Sequence, residues 1–181
     1  SDNYIESITG LDIKENERYK GESTFNILRN NIRLMSFIII TSGFSMIYVQ
    51  TKFALPLLFS HDFGDNGSAL LGTIFSINAI VVIVFTSFIT YKTKRNSTVL
   101  NVILGGLFYA VGFGLYAFVS GYIMYALATV VWTFGEILMA TNVKVYVAEH
   151  TPINFRGRIN AVYLFLKAGM NALGVLLSGR L

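Results

Sequence analysis

Glu136 is the only acidic residue between Asp65 and Glu149, and it stands in the middle of an apolar stretch. A lone carboxyl in such surroundings can exchange a proton, because burial disfavours its charged form. It can also anchor a cationic group on a ligand, or act structurally by accepting hydrogen bonds between helices. Lys167 is a second isolated charge, within the last apolar stretch. An ion pair between the two would offset the burial of both, and its separation by a proton or a ligand would make a switch. The alternative is that Lys167 reaches water. Trp132 lies one helical turn before Glu136, where an aromatic face suits an amphipathic or cationic ligand or simply packs in the core. Gln50 and Asn78 are uncharged polar groups in apolar segments, and each can touch a ligand or join helices. Asn142, Asn160 and Asn171 share that ambiguity. Lys52 shares a helical face with Tyr48 and is expected to extend its ammonium outward.

Other chemistries are poorly supplied. Cysteine is absent, which removes disulfides, thiol nucleophiles and thiolate metal sites. The two histidines, His61 and His150, have no partner at ligand spacing, so no metal or cofactor is expected. Gly105-Gly106 is followed by no Lys-Ser/Thr pair and is not a phosphate loop. With no catalytic constellation, an enzyme is not expected.

The elements that must position these residues are membrane-length helices. The chain is 54% hydrophobic and 13% charged, against roughly 25% charged in average soluble chains. Residues Asn66–Tyr91 and Asn96–Gly135 contain no charge at all. A helix crosses the hydrocarbon core in about 20 residues, so the first run fits one crossing and the second fits two. Five spans follow: about 33–59, 68–91, 98–119, 122–147 and 159–181, with a turn at Ser120-Gly121. The fold class is therefore all-α, a polytopic transmembrane helical bundle. Residues 1–30 read as a polar cytoplasmic linker or tail with a short surface helix. Gly106, Ala110 and Gly114 form a small-residue stripe in the third span, and Gly174 and Ser178 another in the fifth, both suited to close helix approach.

Lysine and arginine placement orients the bundle. Lys92, Lys94 and Arg95 follow the second span, and Arg156 and Arg158 follow the fourth, while the loops after the first and third carry no basic residue. By the positive-inside rule these basic loops and the N-terminal segment are cytoplasmic. The net charge of +4 thus belongs to a membrane face, and no nucleic-acid partner is expected. Glu136 then lies about 14 residues from the outer end of its helix, roughly 21 Å at 1.5 Å per residue. That is near the bilayer midplane, where a charge costs at least ~2.5–3.5 kcal/mol. Lys167 falls within one turn of the same depth.

The stretch Tyr146-Val-Ala-Glu149-His-Thr-Pro152-Ile-Asn-Phe-Arg156-Gly157-Arg158 resembles the signature that closes the fourth helix of a six-helix repeat in the major facilitator superfamily. Gly135-Glu136-Ile-Leu is similar to a stretch found in many proton-coupled members. The first span, with Tyr48, Gln50 and Leu55-Pro56, resembles the seventh helix of bacterial multidrug-type members. The family's loop between the second and third helices normally reads Gly-x-x-x-Asp-Arg-x-Gly-Arg. Here Ser87, Tyr91, Lys92, Lys94 and Arg95 stand at the corresponding positions, so the acid and both glycines are gone while the positive charge survives.

That degeneration fits a second repeat. The resemblance implies half of a twelve-helix fold: the C-terminal half, helices seven to eleven, with the N-terminal half as the other assignment. It implies proton-coupled secondary transport by alternating access, most naturally efflux of drug-like or amphipathic compounds. A proton-driven peptide or nutrient importer and a non-transporting scaffold stand as alternatives. Glu136 would couple protons, and Gln50, Asn78, Trp132 and Lys167 would border the cavity. Glu149, Arg156 and Arg158 would form a cytoplasmic gating latch, or merely hold their loop inside. The implied partners are the lipid bilayer, the other half of the transporter, protons and a small molecule. The implied location is a bacterial inner (plasma) membrane, multi-pass, with the N-terminus cytoplasmic.

Overall fold

The computed structural model describes residues 23–178, so most of the expected linker, residues 1–30, and the chain's last three residues lie outside the described part. A short helix α1 (Thr24–Asn30) leads into α2 (Ile32–Tyr48), α3 (Gln50–Phe63), α4 (Gly67–Thr93), α5 (Thr98–Leu115), α6 (Tyr122–Glu149) and α7 (Arg156–Ser178). Two 3-10 turns, Gly64–Asn66 and Ile153–Phe155, join α3 to α4 and α6 to α7. Among the described residues there is no strand. Among the described residues, four helical stretches are long and apolar enough to cross a membrane: Ile32–Thr93, Thr98–Leu115, Tyr122–Glu149 and Ile153–Ser178. The first of these folds back on itself at Gly64, whose φ of 54° suits glycine, so that α3 and α4 pack side by side. It therefore holds two helical arms, α2–α3 and α4.

Local chemistry explains the boundaries. Asn31 caps α2 by accepting from the Leu34 amide at 3.2 Å, and Ser97 caps α5 by accepting from the Leu100 amide at 3.3 Å. Gly121 opens α6 at φ 91°, in the turn expected at Ser120-Gly121. Pro152 follows the end of α6, where a ring without an N–H cannot continue the helix. The expected first span, 33–59, is instead two helices that meet at Val49. There the ladder tightens, with the Lys52 amide bonding the Val49 carbonyl at 3.0 Å, a 3-10 pattern inside a long helix. Pro56 lies inside α3 and cannot donate to the Lys52 carbonyl one turn back.

Helix α6 is the axis of the bundle, with α5 and α4 packed along it, while α2 leans chiefly on α7. The α5–α6 seam is a backbone contact. A methyl added at Gly135 would lie 2.7 Å from the Gly105 carbonyl oxygen, and one at Gly112 would lie 2.5 Å from the Trp132 backbone nitrogen. The expected stripe of Gly106, Ala110 and Gly114 does not make this seam. Gly106 faces the Phe44 ring and Gly114 faces open space, because the contact face runs one residue earlier, through Gly105 and Gly112. At Gly174 the expected close approach is present, since an added methyl would meet Val49 at 2.7 Å. The outward surface is apolar, with Ile83, Phe165 and Leu176 among its exposed side chains, as a bilayer-facing surface requires.

Candidate functional site

Glu136 projects from α6 toward α2, α4 and α7, and its two oxygens are held from two different helices. The Tyr48 hydroxyl donates to Oε1 at 2.9 Å from the end of α2. The Asn78 amide donates to Oε2 at 2.8 Å from α4. The same amide donates its second hydrogen to Thr133 Oγ1 at 2.9 Å. An ionised carboxylate only accepts, so the arrangement orients the amide nitrogen toward it. Thr133 in turn donates to the Thr129 carbonyl at 2.6 Å, which leaves its oxygen free to accept.

Glu136 borders a cavity of about 250 Å³ formed by α2, α5, α6 and α7. Phe44, Tyr48, Tyr109 and Tyr163 supply aromatic walls, Met139 and Val143 aliphatic ones, and Lys167 a cationic one. Ser45, also at the cavity, reaches the Lys167 backbone carbonyl at 3.3 Å and ties α2 to α7. Glu136 and Lys167 therefore share one cavity. No ion pair joins them; among the described residues the only pairing within ion-pair distance is His61–Asp62. The two charges are free to be addressed separately.

Three of the residues expected to border this cavity stand elsewhere. Asn78 is spent on Glu136 and Thr133 and acts as a clamp for the carboxylate. Trp132 is 1% exposed and stacks on Phe113 at 5.3 Å, because Gly112 leaves room for it against α5. Its face is thus covered by protein and is not open beside the acid. Gln50 borders a separate apolar cavity of about 380 Å³ between α2, α3 and α5. Its amide donates to the Gly174 carbonyl at 3.3 Å, and Ser178 donates to its Oε1 at 2.6 Å, so it works as the interhelical bond that was the other option for it. Lys52 is exposed. Tyr48, named from the sequence only as a face-mate of Lys52 and within the first-span resemblance, is the partner of Glu136 that was not expected at this cavity. Its place four residues before Lys52, on the same helical face, was the available signal.

The loop between α6 and α7 shows no ion pair between Glu149 and either arginine among the described residues. Glu149, Arg156 and Arg158 are all exposed. Arg156 donates through Nε to the Thr151 carbonyl at 3.4 Å, and the Arg158 guanidinium lies over the Phe155 ring at 5.4 Å. The loop is held instead by aromatic stacking, His150 on Tyr146 at 3.9 Å and Tyr146 on Phe37 at 3.8 Å. On the same side, Asn101 joins α5 to α6 by donating to Asn142 Oδ1 at 2.9 Å, and to the end of α4 through the Thr93 carbonyl at 3.1 Å. Asn142 is thus engaged in a bond between helices.

A polytopic helical bundle with a hydrogen-bonded carboxylate at a polar-aromatic cavity defines a class, the multi-pass helical membrane proteins. The family is specific: the Major Facilitator Superfamily model matches residues 9–175, and the chain belongs to that superfamily. It is also 25% identical over 138 residues to YqjV of Bacillus subtilis (strain 168), described as an uncharacterised MFS-type transporter, a match covering 76% of this chain and 32% of that protein. The chain spans about a third of the length of this curated relative.

Proposed function

We propose that this chain is part of a proton-coupled secondary transporter in which Glu136 carries the coupling proton. The observation behind this reading is the carboxylate with one oxygen bonded to α2 and the other to α4, at the edge of a cavity. Placing a proton on Oε2 sets an O–H against the Asn78 amide nitrogen, which only donates, and weakens that bond; a proton on Oε1 can reverse the Tyr48 bond, since a hydroxyl accepts as well as donates. Protonation thereby changes which helices are tied to α6. Because Tyr48 sits at the junction of α2 and α3, a weakened or reversed bond there loosens the hold on the chain next to Val49. Such local loosening is what alternating access needs. The loop carrying Glu149, Arg156 and Arg158 serves as the cytoplasmic latch, its ion pairs made in another state or with the other half of the transporter.

The cargo is a small molecule matched to aromatic walls. Efflux of drug-like or amphipathic compounds uses this frame, and so does import of a charged nutrient. Lys167 at the cavity favours a cargo that carries a negative group, a feature that export of simple cations does not require. A scaffold without transport has no use for a cavity bordered by both charges. The test is flux through the complete protein in proteoliposomes across an imposed pH gradient, comparing Glu136 with Glu136→Gln. The variant is expected to lose the response to the gradient. A response equal to that of the native protein would remove Glu136 from the coupling role.

A further inference from the structure

We propose that the cavity takes an organic anion with a flat apolar body, an aromatic carboxylate, whose negative group is held by the Lys167 ammonium. This rests on the reading of the cavity as a transport site and adds the class of cargo to it. Two charged side chains border the space, and they differ in how occupied they are. Both oxygens of Glu136 already accept a hydrogen bond from the protein, from Tyr48 at 2.9 Å and from Asn78 at 2.8 Å. An incoming cation would have to share or displace those donors. Lys167 is half-buried at the same cavity, yet its ammonium has no ion-pair or hydrogen-bond partner among the described residues. An ammonium has three hydrogens to donate and nothing to accept with, so the group that completes it is an acceptor with negative charge.

The walls select the rest of the molecule. Phe44, Tyr48, Tyr109 and Tyr163 border the cavity, and Tyr163 lies one turn before Lys167 on the same face of α7. A planar ring can lie against these aromatics in the offset or edge-to-face arrangements they favour, with its carboxylate reaching Lys167. The Glu136 carboxylate at the same cavity repels a second anion placed near it, which orients the guest with its negative end toward α7.

The experiment uses the complete protein in phosphatidylcholine nanodiscs, which hold no anionic lipid to compete for Lys167. Equilibrium binding of radiolabelled 1-naphthoate is compared with that of 1-naphthylmethylammonium, the same ring system with the opposite charge. The native protein is expected to bind the anion at least ten-fold more tightly than the cation. Lys167→Gln is expected to lose at least ten-fold in naphthoate affinity, and Lys167→Arg to keep it within about three-fold, with melting curves showing both variants folded. Preference for the cation, binding of neither compound, or native naphthoate affinity in Lys167→Gln overturns the proposal. If naphthoate binds through Lys167 while its flux ignores a pH gradient, the coupling role of Glu136 fails and the anion site stands. If the cation is carried in response to the gradient and naphthoate is not bound, the coupling role stands and the anion site fails.

Discussion

The seam between α5 and α6 and the wall shared by α2, α6 and α7 hold helices together in opposite ways. At the seam, Gly105, Gly112 and Gly135 bring backbones into direct contact, and association comes from dispersion over a closely fitted surface. At the wall the helices stand apart around a cavity, and polar side chains reach between them: Tyr48 to Glu136 and Ser45 to the Lys167 carbonyl. A fitted surface has one good arrangement and resists motion. A few hydrogen bonds have alternatives, because each donor or acceptor can exchange partners. The seam favours one arrangement, and the wall admits more than one.

Gly112→Val is the strongest way to break that contrast. Its side chain would press on the Trp132 backbone, where no side-chain rotation relieves it, and overpacking of this kind costs about 1–3 kcal/mol or more. The variant of the complete protein is expected to melt at markedly lower temperature or fail to accumulate in the membrane, as read by detergent melting and size exclusion. A native melting curve would show that the seam is not tightly fitted. Glu136→Gln addresses the wall: it keeps the side chain's shape, so melting should move little while the pH response of flux disappears. A large loss of stability with coupling intact would reverse the roles of the two regions.

Tyr48→Phe removes one of the two bonds to Glu136 and keeps the ring. A hydrogen bond to a charged group contributes about 1.5–3 kcal/mol, and the remaining Asn78 bond limits the loss. The expected result is retained transport with a displaced pH profile, measured as flux against pH. An unchanged profile would mean that Tyr48 does not sense the carboxylate's proton. Gly114→Ala sharpens the comparison with the smallest effect. Gly114 lies in α5 like Gly112 but faces open space, and alanine favours a helix over glycine by about 0.8–1.0 kcal/mol. Melting should be unchanged or slightly higher. A loss comparable to that of Gly112→Val would show that helical glycines matter here for another reason than the seam.

Much of this architecture was legible before any coordinates. Charge-free runs marked the crossings, Gly121 and Pro152 marked turns, and Glu136 stood out because a single acid in a long apolar stretch is conspicuous. Its partners were not legible. Tyr48 and Asn78 lie 88 and 58 residues away in the chain, and polar residues in membrane helices carry no mark that separates a clamp from a ligand contact. Trp132 had the right spacing for a cavity wall, yet the space left by Gly112 on another helix turned it into packing. The glycine stripe was misassigned by one position because Gly105 and Gly106 are neighbours with different faces, and only the partner helix selects between them.

The sequence by itself determined the class of molecule, an all-helical membrane bundle, and singled out Glu136 as the lone acid of its apolar stretches, because both depend on how charge and apolar surface are distributed along the chain. The break at Val49, the clamp on Glu136 and the open ammonium of Lys167 were decided by tertiary structure. Each depends on the rotation and depth of separate helices relative to one another, and those are set by the glycine contacts and polar bonds between helices, which no periodicity within a single helix encodes.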